Sequence, residues 1–166
     1  RPGKGAAVGA GLRAARGRYI GFMDSDLEIG PAEVPRFIQS LTEGADAAIA
    51  TKVDRAEDRP LRRRLSTVLY NAFVRLLLGT RHRDHQGGMK FFQGQAATTA
   101  KQVECDGWFW DTEVLVALAA QGSHVDELPV RAATRRGSGL SVLPVTLEWL
   151  GGVIRLCVAR MLTTSA

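Results

Sequence analysis

Tyr19-Ile20-Gly21-Phe22-Met23-Asp24-Ser25-Asp26 is the stretch on which the reading of this chain turns. Its first five residues form a short apolar run of the length and composition of a buried strand. The run ends in two carboxylates one residue apart, followed by Leu27-Glu28. Paired carboxylates just past a buried strand can jointly hold a hard divalent cation. Mg²⁺ and Mn²⁺ favour oxygen ligands and complete their shells with phosphates and water. Asp-x-Asp also arises by chance in solvated turns, so the surroundings have to decide.

Upstream, residues 4–16 are rich in Ala, Leu and Val and predict a helix with Gly17 as its stop. The glycines Gly3, Gly5, Gly9 and Gly11 superficially suggest a dinucleotide fingerprint. That motif needs a preceding strand and a Gly-x-Gly-x-x-Gly frame, and neither is present. Downstream, Pro31 suits the first turn of a helix over about 32–42, and Ala45 to Thr51 reads as a second buried strand. Strand, helix and strand of these lengths imply a right-handed parallel crossover. A charged loop over 52–60 leads to an amphipathic helix over 61–78 that ends at Gly79. Gly88 to Phe92 predicts a short strand. Asp111 predicts an N-cap for a helix over 112–121, with Gly122 after its end. His124 to Arg131 is a last strand, and Pro129 favours the sheet edge for it. The fold class is α/β, with a mostly parallel sheet flanked by helices. Residues 1–141 carry this pattern. Residues 142–166 form an apolar tail with sparse charge, suited to a membrane surface or to packing on a partner.

The chain has 166 residues, enough for one domain with a real core. Its net charge of +5 is uneven. Arg62, Arg63 and Arg64 cluster, as do Arg81, His82 and Arg83, and again Arg131, Arg135 and Arg136. Such clusters can meet nucleic acid, anionic lipid or phosphorylated substrates. Few aromatics lie among them, which argues against single-stranded nucleic-acid binding and leaves nucleic acid a minor reading, one that would show steep salt dependence toward any duplex. Cys105 and Cys157 lack metal-ligand spacing and fit a reducing compartment. No signal peptide and no transmembrane run is read. Arg1-Pro2-Gly3 has no initiator Met and enters a helix at once, so the chain reads as cut from something longer.

The order of motifs is more specific than any one of them. Gly3-Lys4-Gly5 opens the first helix, and Gly17-Arg18-Tyr19-Ile20 leads to Asp24-Ser25-Asp26. Then come Asp84-His85-Gln86-Gly87-Gly88-Met89-Lys90-Phe91, Gly107-Trp108-Phe109-Trp110-Asp111-Thr112-Glu113, and Glu127-Leu128-Pro129-Val130-Arg131. The series resembles family 2 glycosyltransferases of the GT-A fold, most of all the dolichyl-phosphate and polyprenyl-phosphate sugar synthases. The resemblance covers about residues 3–131.

It implies a metal-dependent, inverting transfer of a hexose from a GDP- or UDP-sugar to a polyprenyl phosphate. The expected location is cytoplasmic, peripheral on an anionic membrane face. It implies that Asp24 and Asp26, with Glu28 where the synthases often carry Gln, hold Mg²⁺ or Mn²⁺. Catalytic roles fall to Asp26, Asp84, Asp111 and Arg131. Gln86, Lys90 and Glu113 fall near the donor sugar. Lys52, Arg62, Ser66, Arg131 and Ser138 fall on the acceptor phosphate. Lys52 stands where the family usually has Arg, and Gly139 where it has Lys, so Arg135 or Arg136 could supply that last contact.

Several residues have two readings. Asp111 and Glu113 are a base and a sugar contact, or an N-cap and a first-turn acid favoured by the helix dipole. Trp108, Phe109 and Trp110 are core or a sugar platform. The three histidines read as structural. An anionic phosphate acceptor needs no strong base, whereas a hydroxyl acceptor would need one, with Asp111 the candidate. A catalytically silent membrane-binding domain is the contrasting class. The resemblance also implies a nucleotide-base half of two strand–helix units, roughly 60–80 residues, that precedes these motifs in the family and is not in this sequence.

Overall fold

The computed structural model describes residues 3–53, 84–131 and 151–156, with Ala72, residues 74–76, Gly79 and His82 between them. Helix α1 spans Lys4–Ala14, strand β1 Tyr19–Met23, helix α2 Val34–Thr42 and strand β2 Ala47–Lys52. Strand β3 spans Met89–Gln93, helix α3 Gly94–Gln102, helix α4 Trp110–Ala120 and strand β4 Val125–Val130. A 3₁₀ turn over Pro31–Glu33 leads into α2, with Pro31 in its first turn as expected. Residues 151–156 are helical.

The four strands form one sheet in the order β1-β3-β2-β4. Strands β1 and β2 each pair antiparallel with β3, and β4 pairs parallel with β2. Strands β1, β2 and β4 therefore run one way, and β3 runs against them. The expected crossover from β1 to β2 is parallel, but β3 is inserted between its two strands. Pro129 lies on β4, an edge strand, as its missing N–H requires.

Strand alternation separates two cores. Ile20, Ala47, Ile49 and Phe92 face α1, α3 and α4, where they meet Leu12, Ala96, Ala100, Trp110, Val114, Leu115 and Leu118. Ala48, Ala50 and Met89 point the other way, onto Ile29, Phe37 and Leu41 of the α2 side. Both cores are dry. Phe37, Trp110 and Phe92 are fully buried, and burial of such side chains is worth about 1.5–3 kcal/mol each.

Four differences from the sequence expectation have local causes. Helix α1 stops at Ala14, because Ala15 is already extended while its N–H closes onto Gly11 and Leu12. The glycines of α1 serve close packing: a Cβ on Gly5 would lie 2.0 Å from the Cys105 carbonyl and 2.8 Å from Trp110 Cβ. Helix α3 was not anticipated, since Gln95 to Gln102 carries little apolar periodicity. Helix α4 begins at Trp110, so Asp111 lies inside it and is no N-cap; Phe109 holds that position without a side-chain cap. Gly122 (φ 70°) does end α4 in the left-handed region, and Gly79 takes the same region at φ 64°. Most of the predicted 61–78 helix and of the tail lies outside the described residues. The described part of the tail packs inward, with Val153 buried against Phe109 and Val116.

Candidate active site

The strand directions bring the chemistry to one edge of the sheet. Asp24 and Asp26 follow the carboxyl end of β1, Lys52 closes β2, and Arg131 follows β4. Because β3 runs in reverse, Asp84, Gln86 and Gly88, which precede it, reach the same edge. The Asp24 N–H donates to the Gly88 carbonyl at 2.7 Å, extending the β1–β3 ladder into the motif. Helices α1 and α4 also begin there: Gly5 and Ala6 donate to the carbonyls of Gly107 and Asp106 at 3.1 and 3.0 Å. The carboxyl edge of the parallel strands is where open α/β sheets bind ligands.

Inside this edge lies a chain of alternating charge. Lys4 Nζ is 3.0 Å from Asp24 Oδ1, 3.2 Å from Asp24 Oδ2 and 2.7 Å from Asp111 Oδ2. Asp111 Oδ1 is 2.6 Å from Lys90 Nζ, which also donates to the Gly87 carbonyl at 2.7 Å. Lys90 is wholly buried, Asp111 is 1% exposed, and the Asp24 side chain is 33% exposed, so the chain runs from core to solvent. Phe22 lies beneath both lysines, its ring centre 5.3 Å from Lys4 Nζ and 5.6 Å from Lys90 Nζ. Trp108 flanks Lys4 at 5.9 Å, and Trp110 meets Phe22 edge to face. This aromatic wall lowers the local dielectric and strengthens each ion pair.

The titration directions follow from burial and partners. Burial acts to lower the Lys4 pKa, but the carboxylates of Asp111 and Asp24 outweigh it and hold Lys4 above its ordinary value. Burial pushes Asp24 upward against the pull of Lys4. Lys4 has two carboxylates, whereas Asp24 shares its ammonium with Asp111, so the carboxylate is the less compensated partner. Lys90 is lowered, with burial outweighing Asp111.

The outer residues are wetter. Asp24 to Leu27 is a tight turn closed by the Leu27 N–H on the Asp24 carbonyl at 3.1 Å, and Leu27 has φ 53°. Asp26 is exposed, and its Oδ1 accepts the Glu28 N–H at 3.1 Å. Glu28 pairs with Lys52, which ties this turn to the end of β2. Asp84 accepts the Gln86 N–H at 2.9 Å, and its other oxygen lies 3.5 Å from the Lys52 N–H. Glu127 accepts from Thr51 at 3.0 Å and lies 3.3 Å from His82. His85 is fully buried, and burial, then His82 and Lys90, lower its pKa to about 4.

The profile of Glycosyl transferase family 2 matches residues 1–101 of the chain. The chain belongs to glycosyl transferase family 2. It is 37% identical over 134 residues to glycosyltransferase AglD of Haloferax volcanii, covering 78% of this chain and 22% of that protein. It is 31% identical over 149 residues to the dolichyl-phosphate beta-glucosyltransferase ALG5A of Trichomonas vaginalis, covering 84% of this chain and 46% of that protein. Its fold matches glucosyl-3-phosphoglycerate synthase of Mycobacterium tuberculosis, solved with Mn²⁺, uridine diphosphate and phosphoglyceric acid. The TM-score is 0.73 at 19% identity, covering 95% of this chain and 55% of that one. The fold is therefore GT-A, and one of the two sequence relatives is by name a dolichyl-phosphate sugar transferase. The chain spans less than half the length of these curated relatives and about half of the solved chain.

Measured against the family motifs, the edge assembles Asp24, Asp26, Glu28, Lys52, Asp84, Gln86, Lys90, Asp111 and Arg131. It separates Glu113 from them. Glu113 faces away from Asp111 on α4, pairs with Arg155 of the 151–156 helix, and is raised above its ordinary pKa by burial. Arg62, Ser66, Ser138, Arg135 and Arg136 lie outside the described residues. Phe109 and Trp110 are core, and Trp108 is half-buried beside Lys4. Among the described residues no three His, Cys, Asp or Glu side chains gather around one metal position. Asp24 and Glu28 are each drawn to a lysine instead. Sequence reading places Lys4 within the Gly3-Lys4-Gly5 helix start and gives it no role, although a cation in the first turn of a helix opposes the helix dipole and signals a partner elsewhere.

Proposed function

We propose that this chain carries the metal, donor-phosphate and acceptor side of a glycosyltransferase that moves a hexose from a GDP- or UDP-sugar to a polyprenyl phosphate, with inversion, at the cytoplasmic face of a membrane. The observation that carries the proposal is the convergence of Asp24, Asp26, Lys52, Asp84, Lys90 and Arg131 on one sheet edge. Two carboxylates on a strand-end turn are a fitting donor set for Mg²⁺ or Mn²⁺, which take one or two protein carboxylates and fill the remaining positions with phosphates and water. When bound, such a cation neutralises charge building on the departing diphosphate. Lys4 sits beside the same carboxylate and adds fixed positive charge in a water-poor setting.

Asp111 supports the phosphate acceptor over a hydroxyl. It lies between two ammonium groups at 2.7 and 2.6 Å and is 1% exposed, so neither oxygen is positioned to take a substrate proton. A phosphate oxygen arrives already ionised and needs no base. Lys52 and Arg131 offer cations for it at neighbouring strand ends. One sequence relative favours the lipid acceptor, being a dolichyl-phosphate glucosyltransferase by name. No helix among the described residues is long and apolar enough to cross a membrane. The membrane reading therefore rests on the acceptor and on the basic clusters of the sequence.

The test is transfer of labelled hexose from UDP-glucose or GDP-mannose to a short-chain polyprenyl phosphate in detergent, with Mn²⁺ or Mg²⁺, by the full-length protein. The expected result is a lipid-linked product that disappears with chelator and falls at least 100-fold in Asp26→Asn. Product formed only on a soluble hydroxyl acceptor, or undiminished by Asp26→Asn, would overturn the proposal.

A further inference from the structure

We propose that Lys4 is a built-in counter-cation that occupies Asp24 and keeps a divalent metal off it until a diphosphate arrives, so that metal and diphosphate load together. This rests on the reading of Asp24 and Asp26 as metal-holding residues and adds the residue that controls entry. Lys4 Nζ lies 3.0 and 3.2 Å from the two Asp24 oxygens, so one ammonium spans the whole carboxylate. Asp111 holds that ammonium from behind at 2.7 Å, and Phe22 and Trp108 flank it. It cannot withdraw without leaving a buried carboxylate half-compensated.

Asp24 Oδ2 packs over Gly88, so closely that a Cβ there would approach it to 2.4 Å. A bare divalent cation would have to sit about 2.0–2.6 Å from an Asp24 oxygen, within a few ångströms of the ammonium and opposed by like charge. A diphosphate changes the balance. It binds the metal and supplies negative charge to Lys4, so both cations then share the site without net repulsion. Lys4 is in this sense a positioning residue acting through Asp24. The consequence is an ordered site, closed to free metal and open to a metal–diphosphate complex.

The experiment is Mn²⁺ binding followed by electron paramagnetic resonance on the full chain, without any sugar donor. Wild type is compared with Lys4→Met and with Lys4→Met/Asp24→Asn. The expected result is at least tenfold tighter binding of Mn²⁺ alone in Lys4→Met, with the gain abolished in the double variant. Inorganic pyrophosphate should raise Mn²⁺ affinity strongly in wild type and weakly in Lys4→Met. An unchanged Mn²⁺ affinity in folded Lys4→Met overturns the inference but leaves the metal reading standing if wild type still takes up Mn²⁺ with pyrophosphate. Absence of Mn²⁺ from wild type and variants alike, with pyrophosphate present, overturns both. Should Lys4→Met not fold, wild type alone decides. Mn²⁺ should broaden the backbone amide resonances of Asp24 and Gly88 only once pyrophosphate is added, and broadening by Mn²⁺ alone overturns the inference.

Discussion

Two ion-pair systems stand at the same sheet edge and differ in almost everything but chemistry. The inner one, Asp24–Lys4–Asp111–Lys90, runs into the core and is walled by Phe22, Trp108 and Trp110. The outer one, Glu28–Lys52, joins a turn to a strand end with side chains 30% and 20% exposed. In water an ion pair is worth little, because solvent competes for both ends. In the core the same pair is obligatory, since removal of one member strands a charge that nothing else can solvate. The buried Asp111–Lys90 end of the inner system therefore reads as scaffold and the outer pair as an adjustable surface.

The largest effect should follow from breaking the inner chain at its buried end. Lys90→Met removes the only cation on Asp111 Oδ1 among the described residues and leaves Lys4 to compensate two carboxylates. We expect a loss of about 3–5 kcal/mol of stability, seen as a lower urea midpoint with an unchanged slope. A loss below about 1 kcal/mol would mean that water reaches Asp111 and that the inner system resembles the outer one.

Acid comes next. His85 is buried with a pKa of about 4 against an ordinary 6.5. Above 6.5 it is neutral folded or unfolded and has no effect on stability. Between 6.5 and about 4 the unfolded chain takes up the proton and the folded chain does not. Stability should fall across that window by up to roughly 3 kcal/mol. His85→Leu should flatten that part of the stability–pH curve relative to wild type. Equal slopes in the two proteins would place His85 in contact with solvent.

Two adjacent glycines sharpen the contrast between scaffold and site. A Cβ on Gly87 would lie 2.0 Å from the Ala50 carbonyl oxygen, which is backbone and cannot give way. Gly87→Ala should cost about 1–3 kcal/mol as strain. A Cβ on Gly88 would instead meet the tip of Asp24 at 2.4 Å, and that side chain can move at the expense of its Lys4 contacts. Gly88→Ala should lower transferase activity tenfold or more while the melting temperature changes less than in Gly87→Ala. The reverse order would assign Asp24 to the scaffold alone.

Much of this was legible from residue order. The apolar runs placed β1, β2 and β4, and the Asp-x-Asp motif fell at a strand end because buried strands stop where charge begins. Lys90 shares a face with Phe92, two residues on, and that face is where the inner chain lies. The insertion of β3 between β1 and β2 was not legible, because register and neighbour choice are long-range packing outcomes. Asp111 was ambiguous for a different reason. An acid in the first turn of a helix is favoured by the dipole whether or not it has another task. Its sign as something more lay at a distance, in Lys90 within Met89-Lys90-Phe91-Phe92 and in Lys4 at a helix start. Each is a cation where local physics disfavours one, and a buried charge implies a partner.

The smallest structural effect belongs to the outer pair, and there it separates two roles. Glu28→Gln should change stability by less than about 1 kcal/mol, since both side chains reach solvent. Its kinetic signature depends on what Glu28 does. If Glu28 serves mainly to hold Lys52, its neutralisation frees the ammonium for the acceptor phosphate, and KM for polyprenyl phosphate should fall several-fold with metal dependence unchanged. If Glu28 is a metal ligand, the Mn²⁺ concentration for half-maximal rate should rise while the acceptor KM stays put. We expect the first pattern, because Glu28 is already paired with Lys52 and no third carboxylate joins Asp24 and Asp26 among the described residues. Lys52→Met should then raise the acceptor KM in the opposite sense, and the two changes in one chain should give the Lys52→Met value, since Glu28 would have nothing left to restrain.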